Sequence, residues 1–154
     1  MSEVQAHRAK VVQPNDKRLH VHANLYFAAR NPMMYRNIKN YERPICVLRI
    51  NSEIMKLGGV IISDKNASSD YVRFGPYPDF LNEINWKLVF AESWYDPDKQ
   101  QMNIKRSIKC AEVLVPRSIP PNYITGIHVR NEESINLANS FSIHVSVNKY
   151  LFFQ

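Results

Sequence analysis

The residue most out of place in this chain is Glu112, a carboxylate inside the apolar run CAEVLVP. An ionised group in a strand core is costly unless it is paired or turned onto a working face. Glu112 therefore reads either as a solvent-facing residue of an edge strand or as a group held for chemistry. A strand-borne carboxylate that follows a long loop suits group transfer, because the strand fixes the carboxylate while the loop admits an acceptor. Arg30 is the second such residue, standing between the apolar run NLYFAA and the segment NPMMYR. Asn31 can cap a helix there and Pro32 suits its first turn, so the backbone N–H groups and the planar guanidinium together would fit a pyrophosphate. The alternative is an arginine paired with a surface acid. Tyr26, Phe27 and Tyr35 flank Arg30 and either stack on a flat ring or fill core. Asp70, Tyr71 and Arg73, in NASSDYVRF, make a substrate rim or a capped turn.

Other chemistries lack residues. His20 and His22 alternate along a strand-like stretch, but metal binding needs further ligands, so a surface role is favoured and no metal site is expected. There is no Walker loop, GxGxxG, HExxH or paired CxxC, which removes support for P-loop phosphoryl transfer and zinc hydrolysis. Cys46 and Cys110 sit in apolar runs far from each other and read as reduced core thiols of a cytosolic protein. Twenty Lys and Arg against 14 Asp and Glu give a net charge of +6, which favours polyanions without proving that they bind. No apolar stretch approaches the roughly 20 residues needed to span a bilayer, and Met1 to Lys10 has no signal-peptide core. A cytoplasmic location away from membranes is the expectation.

With 154 residues, 45% of them hydrophobic, the chain has room for one globular core, so residues 1–154 are expected to form a single domain. The first 22 residues are polar and basic, with Arg8, Lys10, Lys17 and Arg18, and look like an arm. Strands are expected over Asn24 to Ala29, Ile45 to Ile50 (buried), Gly59 to Ser63, Ala111 to Val115 and Tyr123 to Val129. The last two are expected to be neighbours across a Pro120-Pro121 turn. Phe141 to Val147 alternates as a half-buried strand with Phe141, Ile143, Val145 and Val147 on one face. Helical turns are expected over Met33 to Asn40, Ser52 to Leu57 and Asp79 to Ile84. Tyr95 to Lys109 reads as a long irregular loop between the apolar segment LVFAESW and the strand AEVLV. Many strands with few, short helices between them indicate an α+β domain built on packed antiparallel sheets.

The strings NLYFAARNPMMY, SDKNASSDYVRF, LVFAESW and CAEVLVPRSIPPNYITGI, in that order, resemble successive blocks of the DarT family. These are bacterial toxins that transfer ADP-ribose from NAD to bases of single-stranded DNA. The resemblance covers Val4 to Val129, whereas residues 131–154 form a C-terminal extension that matches no block. It implies the ADP-ribosyltransferase-like fold: two packed, mostly antiparallel sheets with short helices around an NAD cleft.

By the same resemblance, Glu112 binds the nicotinamide ribose and stabilises the transition state, and Arg30 positions NAD and the target base. Tyr26, Tyr35 and Tyr71, from their own chemistry and position rather than from the resemblance, are the candidate aromatics for contact with NAD. The loop from Tyr95 to Lys109 resembles the one that presents the DNA base, and Lys99, Lys105, Arg106 and Lys109, with Arg73, would complement a phosphate backbone, although a solvated charged loop has the same composition. The implied partners are single-stranded DNA and a macrodomain antitoxin that reverses the mark. Family members also carry an N-terminal element with paired histidines that grips NAD. Nothing before Val4 supplies it, and His7, His20 and His22 do not match it, so the resemblance implies an N-terminally truncated transferase. Two further readings stand beside this one: a catalytically inactive, nucleic-acid-binding remnant, and a structural α+β domain whose charge serves solubility.

Overall fold

Short β-branched runs broken by Gly, Pro and Asn become, among the described residues, seven strands of two to six residues with short helices between them. The computed structural model of the chain describes residues 19–40, 44–138 and 142–153. Residues 1–18 of the expected basic arm, with His7, Arg8, Lys10, Lys17 and Arg18, lie outside the described residues, as does Phe141; within its last four residues Leu19 and His22 are buried and β1 begins at His22, so His22 belongs to the sheet interior rather than the surface. The strands form two sheets, mostly antiparallel, and the chain falls into two compact units: Met1–Ala28 with Met55–Ser118, and Ala29–Ile54 with Ile119–Gln154.

The first unit holds β1 (His22–Tyr26), β3 (Ile61–Ser63), β4 (Phe74–Gly75) and β5 (Glu112–Pro116), in the antiparallel order β1-β5-β3-β4. β5 is an internal strand, and its side chains from Glu112 to Val115 are all buried, which is why it reads as a continuous apolar run rather than an alternating one. Leu114 packs with Leu19 and Ala67, with Phe74 laid against them. Gly75 carries no Cβ because one there would fall 2.3 Å from Cδ2 of the Phe80 ring.

Two helices of this unit differ from the expected pattern. LVFAESW begins in a helical turn, α2 (Trp86–Val89), whose N-cap Asn85 accepts a bond from the Leu88 N–H at 3.1 Å. Most of the expected loop is α3 (Lys99–Ile108), capped by Asp98, which accepts from the Gln100 N–H at 2.7 Å. The reason is local: after the Asp cap, KQQMNIKR is made of good helix formers, and the half-buried Met102, Lys105 and Ile108 recur at helical spacing. Polarity had hidden that period.

The second unit holds α1 (Pro32–Asn40), β2 (Val47–Ile50), β6 (Ile124–Val129), the short α4 (Ile135–Ala138) and β7 (Val145–Val147). β6 is central, antiparallel to β2 and parallel to β7. Ile127, Val129 and Ala138 form its core, with Ile135, Ile143 and Val145 against them. β5 and β6 are thus not neighbours, as the sequence suggested, but belong to different sheets. The run PRSIPP is too long and too rigid in Pro for a tight hairpin, and Arg117 within it takes a positive φ of 67°. β2 is half-exposed rather than buried, with Leu48 44% exposed and Cys46 also exposed, so only Cys110 is a core thiol.

Candidate active site

Glu112 opens β5 opposite Tyr26 of β1 and Ser63 of β3. It is 2% exposed on an internal strand, so the edge-strand alternative does not hold. Its carboxylate is held from two directions: the Asn24 side-chain amide donates to Oε2, and the Ala67 backbone N–H donates to Oε1 at 3.0 Å. Asn24 reaches it diagonally, because it stands opposite Leu114, two residues along the same strand face. Ser63 fixes the backbone as well, its hydroxyl accepting from the Glu112 N–H at 3.2 Å.

The turn after β3 is folded so as to offer the Ala67 N–H. Asn66 Oδ1 accepts from the Ser68 N–H at 2.9 Å and from the Ser68 hydroxyl at 2.6 Å. The turn is tied to the end of α3 through Asn66 N–H to the Ser107 carbonyl at 2.9 Å and the Ser69–Ser107 hydroxyl pair at 2.6 Å. A preformed loop donor and a side-chain amide thus fix one carboxylate in a buried sheet and set its direction. Tyr26, 36% exposed, stands beside it, while Tyr71 points into solvent at 93% exposure with φ 56°.

In the second unit the helix start forms as its sequence dictates. Asn31 Oδ1 accepts from the N–H groups of Met33 and Met34 at 2.9 and 3.0 Å, and Pro32 opens α1. Arg30, exposed just before the cap, lies 5.0 Å over the Phe153 ring, and Tyr35 meets the same ring edge to face at 5.4 Å. Lys39 sits 4.6 Å over the other partner of that contact, Tyr35. The terminal LFF run thereby supplies a ring that holds Arg30 and Tyr35.

The five cations assigned to DNA fare differently. Lys99 and Arg106 are exposed on α3. Lys105 pairs with Asp96 at 2.7 Å, which lowers the Asp96 pKa chiefly through that hydrogen bond. Arg73 is gripped by Asp64 at 2.9 Å and Glu83 at 2.9 Å, and its pKa is raised, first by the bond to Asp64. Lys109 departs from expectation: it is buried, its Nζ donating to the Val89 carbonyl at 3.2 Å and to the Ala91 carbonyl, so it anchors backbone instead of facing a phosphate. Its position closing α3, one turn after Lys105, turns it inward.

The sequence reading missed Asn24, Ala67, Ser63 and Phe153. Asn24 alone carried a signal, standing two residues before Tyr26 and therefore on the same strand face. Among the described residues no three His, Cys, Asp or Glu side chains gather as metal ligands, and no helix is long and apolar enough to cross a membrane.

The fold is that of solved DarT ADP-ribosyltransferases. Thermus sp. 2.9 DarT in complex with NAD+ superposes with a TM-score of 0.77 at 24% identity, covering 96% of this chain and 80% of that one. The same protein in complex with ADP-ribosylated ssDNA gives 0.80 at 23% identity, covering 97% and 78%. The family model described as ssDNA thymidine ADP-ribosyltransferase, DarT, matches residues 1–150, and the chain belongs to the DarT family. It is 33% identical over 114 residues (72% of this chain) to a DNA ADP-ribosyl transferase-DNA ADP-ribosyl glycohydrolase fusion protein of Thermosipho africanus. It is 30% identical over 138 residues (82% of this chain) to a DNA ADP-ribosyl transferase of Thermus aquaticus. The chain spans 28% and 58% of the length of these two relatives.

Proposed function

We propose that this domain transfers ADP-ribose from NAD to a base of single-stranded DNA, with Glu112 as the catalytic carboxylate. The observation that carries the reading is the double grip of Asn24 and Ala67 on a buried carboxylate at the head of an internal strand, in a member of this family. Glu112 places negative charge where the ribose carbon becomes electron-poor as nicotinamide departs. Nicotinamide takes up the bonding pair and leaves neutral, so no general acid is needed. Arg30 engages the NAD phosphates and the incoming base, with Tyr26, Tyr35 and Tyr71 as the aromatic contacts. Lys99 and Arg106, with a share of Lys105 and Arg73, meet the DNA backbone. The acceptor nitrogen is reached most easily on a single strand, whose bases are already unstacked.

The toxin role is part of the same proposal. The glycohydrolase fused to the Thermosipho relative is the model for a partner that removes the mark, a macrodomain antitoxin. A second reading, a domain that binds single-stranded nucleic acid without transfer, is favoured by the 2% exposure of Glu112. The test is incubation with NAD labelled in its adenylate and mixed-sequence single-stranded DNA, beginning with thymidine-rich strands. Label on the DNA that vanishes in Glu112→Gln supports the transferase. Binding of the strand with no label from any base composition supports the second reading.

A further inference from the structure

Three aromatic rings of the first unit run outward from the strand next to Glu112. Phe27 follows β1 directly, and its N–H faces the carbonyl of Ala111, the residue before Glu112, at 3.5 Å. Its ring meets Trp86 edge to face, with centroids 5.1 Å apart and planes at 88°. Trp86 in turn lies nearly parallel to Phe90, at 5.9 Å and 14°. The indole N–H of Trp86 donates to the Leu81 carbonyl at 3.1 Å, which fixes the plane of the middle ring. The series ends at Phe90, which is 60% exposed.

That exposure is not the result of a loose segment. Lys109, buried beneath, donates to the carbonyls of Val89 and Ala91, the residues on either side of Phe90. The Phe90 N–H closes the short helix on the Trp86 carbonyl at 3.0 Å. A large apolar ring is thus held rigid by a buried cation and an indole while most of its surface meets water, an arrangement that folding alone does not favour. Lys87, exposed on α2, stands three residues before Phe90, the spacing that puts two side chains on one helix face.

We infer that Phe90 is a stacking platform for a nucleobase of the single strand, with Lys87 meeting the adjacent phosphate. The inference rests on the reading of the domain as a DNA-directed transferase and adds to it a subsite. A flat ring parallel to an indole extends a stack by one member, and every base has a face that fits, so the contact holds the strand without reading its sequence. The charge selects a polyanion: Lys87 is exposed at the spacing that shares a helix face with Phe90, and the chain carries +6. A base stacked on Phe90 would hold the strand at the end of an aromatic series whose first member, Phe27, is joined through its backbone N–H to the residue before Glu112.

The test is fluorescence anisotropy with three labelled probes of equal length: a mixed-sequence single strand, its duplex, and a single strand of abasic sites. Phe90→Ala should weaken binding of the normal strand by roughly 5- to 150-fold, the loss for one stacked base. It should leave the abasic strand bound as by the wild type. Phe90→Trp should retain affinity. Phe90→Leu, which keeps apolar packing against Trp86 but has no ring, should behave as Ala does; it carries the test if Phe90→Ala lowers the melting temperature. Lys87→Gln should weaken normal and abasic strands alike and flatten the salt dependence. If Phe90→Ala and Phe90→Leu bind the normal strand as the wild type does, or lose normal and abasic strands equally, the platform is wrong. Should the wild type label DNA in that case, the transferase reading survives its loss. If the wild type neither binds nor labels a single strand, both fall.

Discussion

The Asn24 side-chain amide donates to Oε2 of Glu112, joining the middle residue of β1 to the first residue of β5 across the sheet. Sheet geometry makes this bond possible, because diagonal neighbours on one face are within reach of an Asn and a Glu side chain. Asn24→Ala should lower kcat by about 10- to 100-fold, the loss of one hydrogen bond to a charged group, with the KM for NAD changed by no more than about twofold. Asn24→Asp keeps the shape but removes the donor, and places two carboxylates in contact. The activity of that variant should rise as the pH is lowered, since the introduced carboxyl, once protonated, regains a hydrogen to donate. A steady-state pH profile that falls in parallel with the wild type would assign Asn24 a packing role alone.

The Lys105–Asp96 pair links stability to DNA affinity. The folded-state pKa of Asp96 is depressed, first by the hydrogen bond from Lys105, so its contribution is present above the ordinary carboxylate pKa and is lost as the pH falls through the folded value. Asp96→Asn should therefore lower the melting temperature near neutral pH, and the difference should disappear as the pH is lowered through the carboxylate range. The same substitution releases Lys105, and single-stranded DNA should bind Asp96→Asn more tightly than the wild type with a steeper salt dependence.

Lys109 and the exposed cations of α3 should separate cleanly in a salt titration. Lys99→Gln and Arg106→Gln should each reduce the slope of log K against log salt by about 0.7, the single-strand value per phosphate contact. Lys109→Met should leave the slope unchanged while destabilising the fold by about 2–3 kcal/mol, because it strips a charge-assisted donor from two carbonyls at the end of α2. Chemical denaturation measures the second quantity. An altered slope in Lys109→Met would restore the loop cation that the sequence suggested.

Asn31 caps the helix behind Arg30 with two bonds from one side-chain oxygen. Asn31→Ala should cost about 1 kcal/mol and raise the KM for NAD, whereas Asn31→Ser, also a good cap, should recover most of both. Equal losses in Ala and Ser would point to the burial of Asn31 rather than its capping as the source.

The sequence by itself determined the pieces that depend on near neighbours. The cap at Asn31 and Pro32, a strand over Ala111 to Val115 with one carboxylate in it, the turn at Ser52 and the α+β pattern all follow from spacing, propensity and capping within a few residues. The ordered blocks from NLYFAARNPMMY to CAEVLVPRSIPPNYITGI carried the family. The helix α3 was also local but was hidden, since a mostly polar helix shows little apolar period. Only tertiary structure decided the partners. That β5 lies between β1 and β3, and not beside β6, depends on pairings far apart in the chain, and it removes the solvent-facing alternative for Glu112 by burying it. The grip of Asn24 and Ala67 joins residues 88 and 45 positions away from Glu112. Lys109 likewise turned from a DNA contact into an anchor because two carbonyls, 20 and 18 residues earlier, converge on its amine. Residue type fixes what a side chain can donate or accept, but the group it meets is set by which distant segments the sheets bring together.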